Sequence, residues 1–256
     1  IGIIGFGRFG ELAAKYLASD VPVMVFDRGG KTAAIEAVGA RPADLGTTCA
    51  QEMVLLCVPI SHMQTQLATI APLLKPGTVV IDVCSVKVNP VRWMTELLPP
   101  EVEILPTHPM FGPDSAADTL AGAKIVLCRD RISAANYDRA ADWLRAQDLI
   151  VIETTPEEHD RQIAVTLAMT HFIGRSLSAF GAEKLAIDTE GYKRLMHILE
   201  VVENDTWQLF EDMNTYNPYA AEARTGFLQA LEEIHRRLGD LRTSNIERPT
   251  SNIESG

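Results

Sequence analysis

The sequence predicts an α/β fold: a mostly parallel, doubly wound sheet over residues 1–154, then an all-α dimerisation domain over 155–240 and a tail over 241–256. Two patterns carry this expectation. Short apolar runs at 1–4, 21–26, 54–58, 78–83, 102–105, 124–127 and 149–152 alternate with helical stretches, the rhythm of parallel strands joined by crossover helices. Turn signals such as Lys75-Pro76-Gly77 and Leu98-Pro99-Pro100 separate them. At Thr155-Pro156-Glu157-Glu158 the period changes. Thr155 can cap, Pro156 suits the first helical position and Glu158 closes a capping box, so a long helix is expected from there. Apolar residues at helical spacing follow, among them Ile163, Leu167, Phe172 and Leu177.

Composition narrows the function. With 256 residues and 46% hydrophobic content the chain can build one large or two modest cores. A formal net charge of -11 argues against nucleic acid and anionic membranes, which need a basic face. A small-molecule substrate is the expected partner, in a cytoplasmic enzyme, or a stromal one if the source is plant-like. Cys49, Cys57, Cys84 and Cys128 are widely spaced with no CxxC pair, so they are expected to be reduced and no metal site is expected. No run of 18 apolar residues and no charged leader are present, so neither a membrane span nor a secretory signal is expected. The missing Met suggests a start upstream of residue 1. Thr-Ser-Asn-Ile-Glu at 243–247 returns at 250–254, in a stretch with too little apolar content for a core.

The first apolar run leads directly into Gly5-Phe6-Gly7-Arg8-Phe9-Gly10 and an alanine-rich helix. A glycine triplet between strand and helix has a mechanism: Gly5 for the tight turn, Gly7 for backbone approach to a pyrophosphate, Gly10 for close helix packing. This predicts a Rossmann domain. The second run ends in Asp27, about twenty residues on, where a carboxylate bonds the adenine ribose hydroxyls. NAD is therefore the expected cofactor. Arg28, beside it, keeps NADP open by offering a charge to the extra phosphate. Arg8 reads either as a pyrophosphate contact or as an exposed helix-start arginine. Val58 and Pro59, at the end of the third run, complete the expected cofactor contacts.

Three segments follow strand ends, where open parallel sheets place ligands: 57–62, 82–87 and 107–114. Asp82-Val83-Cys84-Ser85-Val86-Lys87 and Thr107-His108-Pro109-Met110-Phe111-Gly112-Pro113 closely resemble motifs of the prephenate and arogenate dehydrogenases of tyrosine biosynthesis. Glu157-Glu158-His159-Asp160 and Thr170-His171-Phe172-Ile173-Gly174-Arg175 extend the resemblance to about residue 235. It implies oxidative decarboxylation of a cyclohexadienol, with hydride passing to the nicotinamide and loss of carbon dioxide making the ring aromatic. In that reading His108 takes the hydroxyl proton, a task suited to histidine. Ser85 bonds the same hydroxyl, and His171 lies near the substrate.

Arg175 is four residues from His171 and shares its helix face, as a substrate contact or a solvated side chain. Asp160 is a candidate substrate contact, or with His159 a capping pair. Many bacterial members place a carboxylate-binding arginine on the next helix, where this chain has Leu199 or Glu200. Arg194, then Lys193, are the nearest cations, and a bidentate arginine suits a carboxylate better. Asp160, Glu158 and Asp114 are the acidic groups that would favour an ammonium-bearing substrate.

Other readings remain. An amino-substituted prephenate analogue would use the same motifs. A β-hydroxyacid or imine reductase would need a lysine within 161–180, where there is none. A silent dinucleotide-binding module would not keep Ser85 and His108 in motif context. The apolar helices after residue 160 exceed what about 80 residues can bury alone, which predicts a homodimer.

Overall fold

A computed structural model describes residues 1–246, and their side chains through residue 240. Eight strands form one sheet in the order β3-β2-β1-β4-β5-β6-β7-β8. They are β1 (Gly2–Ile4), β2 (Met24–Phe26), β3 (Arg41–Pro42), β4 (Met53–Leu56), β5 (Val79–Asp82), β6 (Glu103–Pro109), β7 (Lys124–Cys128) and β8 (Ile150–Thr154). All neighbours pair in parallel except β6 and β7, which are antiparallel. The chain runs outward through β2 and β3, then restarts at β4 on the other side of β1. Ligands of such sheets bind at this switch, outside the strands' carboxyl ends.

Seven of the eight strands coincide with the apolar runs, and the eighth corrects the expected count. β3 is two exposed residues, with no apolar run to announce it. The 102–105 run extends further than its apolar content, through Thr107 and His108 to Pro109, which makes the site histidine part of the sheet. Its buried pattern continues because β7 pairs with it over Thr107 to Pro109.

Six helices belong to this part: α1 (Arg8–Leu17), α2 (Thr32–Ala37), α3 (Leu45–Cys49), α4 (Met63–Ile70), α5 (Val88–Leu97) and α6 (Ala134–Ala146). The remainder is helical, with α7 (Pro156–Ile163), a π segment (Ala164–Ala168), α8 (Met169–Phe180), α9 (Glu190–Glu203), α10 (Trp207–Tyr216) and α11 (Ala220–Ile246). Thr155 caps α7 through Oγ1, which accepts from the Glu158 amide at 3.2 Å. Glu158 does not close the box. Its carboxylate accepts from Gln162 Nε2 at 2.6 Å instead. The tail expected from residue 241 is helical as far as Ile246, because helix propensity and not core content decides a solvated helix. The second Thr-Ser-Asn-Ile-Glu copy lies outside the described residues.

The helical part does not bury a separate core against the sheet. Ala168, Met213 and Ala220 join Ile60, Met63, Met94 and Ile104 in one cluster over the α4–α5 face. Polar anchors flank it. Asp212 on α10 accepts from the Ser61 amide at 3.1 Å and from Ser61 Oγ at 2.9 Å, and Asn89 Nδ2 donates to the Tyr216 carbonyl at 2.7 Å.

Residues 156–180 form one helix long and apolar enough to cross a membrane by length and composition, with mean hydropathy 1.3 over its best window. The 18-residue run count missed it because Thr, Gly and Ser interrupt the apolar residues. The same helix carries the buried His159, Asp160 and His171, with His159 against His108 of β6 and α8 packed on α9. Only 28% of that window is buried within the chain, so much apolar surface faces outward.

Candidate active site

The glycine loop forms a cavity of about 310 Å³ at the switch between β1 and β4, lined by Gly5, Phe6, Gly7, Asp27, Arg28, Gly29, Lys31, Val58 and Pro59 among others. Each glycine has its own reason. Gly5 has φ +98°, and a Cβ there would lie 2.4 Å from the Cys57 carbonyl oxygen. A Cβ at Gly10 would meet the Gly5 oxygen at 2.2 Å, so α1 can seat on β1 only without one. At Gly7 nothing lies within 4 Å of a Cβ position, and no side chain caps the helix it begins. The first amides of α1 thus face open space, a ready anion cradle.

Asp27 is braced for a ligand on its far side. Its Oδ2 accepts from the Phe6 amide and its Oδ1 from the Gly29 amide, both at 2.8 Å. Each oxygen retains a lone pair for a ribose hydroxyl. Lys31, unremarked in the sequence, lines the same cavity and donates to the Phe6 carbonyl at 2.7 Å; Gln66 lines it too. These residues fit a dinucleotide.

Of the two phenylalanines in the glycine motif, Phe6 keeps its place at the cavity and Phe9 is corrected. Phe6 meets the cavity through its backbone, since its ring is 1% exposed in the core beneath the loop. Phe9 lies on the other face of the sheet, 6.3 Å from the Phe111 ring in an apolar cavity of about 580 Å³. Arg8 reaches across the molecule. Its guanidinium donates to Asp114 Oδ1 at 2.6 Å and to the Asn204 carbonyl at 2.9 Å, tying the loop to the α9–α10 turn.

His108, 5% exposed at the end of β6, is held by α7. Its Nδ1 lies 2.9 Å from His159 Nε2, and His159 Nδ1 lies 2.7 Å from Asp160 Oδ1. Asp160 is wholly buried, and its carboxylate also accepts from the amides of Lys87 at 2.7 Å and Val88 at 2.9 Å. These contacts fix the protons. A carboxylate only accepts, so His159 donates from Nδ1 and accepts at Nε2. His108 must then donate from Nδ1, which leaves its Nε2 lone pair as the proton acceptor. Burial, then His159, then Lys87 push the His108 pKa well below its usual range. Burial lowers His159 as well, against the opposing hydrogen bond from Asp160.

Asp160 is therefore corrected: its carboxylate is occupied at the base of this chain and does not meet a substrate. His159, given only a structural reading from sequence, is the link that was missed. Its sequence signals were its place in the Glu157–Asp160 segment and its adjacency to an acid in a helix's first turn.

A second group gathers on α8. His171 is 4% exposed, its Nε2 lies 3.7 Å from Asp205 Oδ2, and burial lowers its pKa most, with Asp205 opposing. Arg175 donates to the Asp205 carbonyl at 2.5 Å and stacks over Trp207, 4.6 Å from the ring centroid. Arg8 lies 3.8 Å from Asp205, so this group sits beside the start of α1. Four buried side-chain atoms lack a hydrogen-bond partner among the described residues, and three are Ser85 Oγ, His171 Nδ1 and Arg175 Nε. Buried polar atoms are rarely left so, and these three belong to residues expected to meet substrate.

Lys193 and Arg194 lie on the exposed side of α9, opposite Met196, Leu199 and Val202. Lys193 pairs there with Asp188 and Glu190. Asp114 is taken by Arg8, and Glu158 is exposed. All four cysteines are free thiols, and the described residues hold no cluster that could bind a metal.

Residues 27–147 match the family model described as prephenate dehydrogenase, nucleotide-binding domain, and residues 176–248 match one described as TYRAAT1-like, C-terminal domain. Arogenate dehydrogenase 2, chloroplastic, of Arabidopsis thaliana is 33% identical over 93% of this chain and 69% of its own length. Arogenate dehydrogenase 1, chloroplastic, of the same plant is 30% identical over 93% of the chain but 39% of its own length. Among solved structures, prephenate dehydrogenase from A. aeolicus, in complex with hydroxyphenyl propionate and NAD+, superposes with a TM-score of 0.73 at 17% identity, covering 96% of both chains.

Proposed function

Because the chain belongs to the prephenate and arogenate dehydrogenase family, we propose that it catalyses NAD(P)-dependent oxidative decarboxylation of arogenate, and of prephenate less well. The observation that carries this reading is the contrast between a fully bonded His108 with one free lone pair and three buried, unpartnered polar atoms on Ser85, His171 and Arg175. A bound nicotinamide dinucleotide supplies the hydride acceptor. The residues of the chain do the rest. His108 Nε2 accepts the ring hydroxyl proton as the carbonyl develops, and the resulting charge is met through His159 by Asp160. Ser85 Oγ, one strand away at the end of β5, orients the same hydroxyl. Loss of carbon dioxide then delivers the aromatic ring.

Arg175 is the preferred anchor for a substrate carboxylate, since it is half-buried, near His171 and its buried Nε is short of a partner, whereas Arg194 and Lys193 face outward. Asp205 supplies the preference for arogenate. Its carboxylate is the acidic group nearest His171, and its contacts at 3.7 Å and 3.8 Å leave it open to the ammonium group that prephenate lacks. For the dinucleotide, Asp27 supports NAD, while Arg28 and Lys31 beside it support use of NADP.

We extend the reading to a homodimer through the helical domain of residues 155–240. Ile187 (95% exposed) and Phe180 (85%) lie at one end, and Leu228, Leu231, Ile234 and Leu238 line α11 in exposed positions. Faces of this extent mark association surfaces. The chloroplastic relatives support a plastid site in a plant-like source.

The test is nicotinamide reduction followed by absorbance, with arogenate and prephenate offered separately, each with NAD and with NADP. Turnover that collapses in His108→Asn is expected. Turnover of neither substrate would overturn the assignment. Light scattering at micromolar concentration is expected to give twice the chain mass.

A further inference from the structure

Lys87 is a buried cation without a role so far. It is 0% exposed, as is its counter-ion Asp82 at the end of β5. The ammonium donates to Asp82 Oδ2 and to the Thr107 carbonyl, which immediately precedes His108. Its backbone amide, 2.7 Å from Asp160 Oδ1, holds the opposite end of the histidine chain. One residue therefore grips β6 just before His108 and α7 just after His159.

Burying a lysine costs several kcal/mol before pairing, so a purely adhesive task would be better served by apolar packing. What a cation adds is its field. Within a dry site, positive charge disfavours a proton on neighbouring imidazoles. The charged groups that act on the pair are Lys87, on both histidines, and on His159 also Asp160 on α7 and Asp82 at the end of β5. The carboxylates Asp82 and Asp160 both draw protons towards His159. Among these groups Lys87 alone is positive.

We propose that Lys87 is a positioning residue for the reaction: it clamps both ends of the His108–His159 pair, and its charge keeps that pair neutral and able to accept the substrate proton. Without it, burial alone would oppose the carboxylates, and the pair would take up a proton at a higher pH. The proposal rests on the reading of His108 as the base, so the test separates the two.

The imidazole nitrogens of the full-length protein are titrated by NMR in wild type, Lys87→Met and Asp82→Asn, alongside the pH profile of kcat/KM. In Lys87→Met the His108 resonance is expected to titrate about one unit higher, and the acidic limb of kcat/KM to move up with it. In Asp82→Asn, which keeps the cation, both are expected to move down. Shifts in one direction for both variants, or none in either, would overturn the proposal. If Lys87→Met does not fold, the direction in Asp82→Asn decides. Resonances that move as expected while the wild-type limb survives in His108→Asn would fault His108 as base and leave the role of Lys87 intact.

Discussion

His108 and His171 are both buried histidines, yet their surroundings are opposites. His108 has a partner at Nδ1, that partner has its own, and the chain ends on a carboxylate held by two helix amides. His171 has one long contact to Asp205 and an unpartnered Nδ1, and Arg175, one turn on, is also short of a partner. In the proposed reading, the difference separates machinery assembled before substrate arrives from groups that substrate completes. Substitutions in the first set should lower kcat, and those in the second should raise KM.

The largest test of that division is His108→Asn, expected to lower kcat by about 10³-fold with little change in KM, by steady-state kinetics. Next is Asp160→Asn, which lets the amide replace the acceptor and scrambles the tautomers of both histidines. A fall of about 10- to 100-fold in kcat is expected, with folding retained by circular dichroism. Arg175→Met should do the reverse, raising KM for either substrate about 10- to 100-fold while kcat stays within a few-fold. A kcat loss there would break the comparison. Asp205→Asn is expected to reduce the arogenate-to-prephenate ratio of kcat/KM by about tenfold, read from competing substrates.

The smallest effect is on stability. Burial holds His108, His159 and His171 below the ordinary histidine value of 6.5. As pH falls below about 6.5 the unfolded chain takes up these protons first, so stability present above that pH is lost progressively as pH drops through the lowered folded values. Thermal midpoints should therefore fall between about pH 6.5 and pH 5. The slope should flatten in His171→Asn.

Much of the crevice was legible because its residues sit in local motifs. Gly5, Gly7 and Gly10 announce a strand-to-helix turn, Asp27 ends the second strand, and Thr155-Pro156 starts a helix, all within a few residues of their structural causes. What was hidden depends on distant pairing. His159 meets a residue 51 positions away, and nothing in its neighbourhood distinguishes a histidine in a relay from one capping a helix. Asp160 looked available for the same reason. Phe9 shares a motif with Gly7, yet the pitch of α1 sends it to the opposite face. Asp205 lies in a turn between two helices, and only the packing of α8 on α9 brings it to His171.

The π segment of residues 164–168 lies between the two groups compared above. His159 and His171 are twelve residues apart, which on a regular α-helix would set them roughly 120° apart around the axis. A π turn holds one residue more than an α turn, so the wider stretch removes about one step of 100° and leaves the two histidines roughly 20° apart. The helix thus works like a camshaft whose lobes are aligned by one surplus residue. Deleting one residue there would close the π turn to a regular α turn and keep the two histidines aligned, whereas forcing the same twelve residues into a regular α-helix would leave the relay histidine in place and swing the other by about 100°.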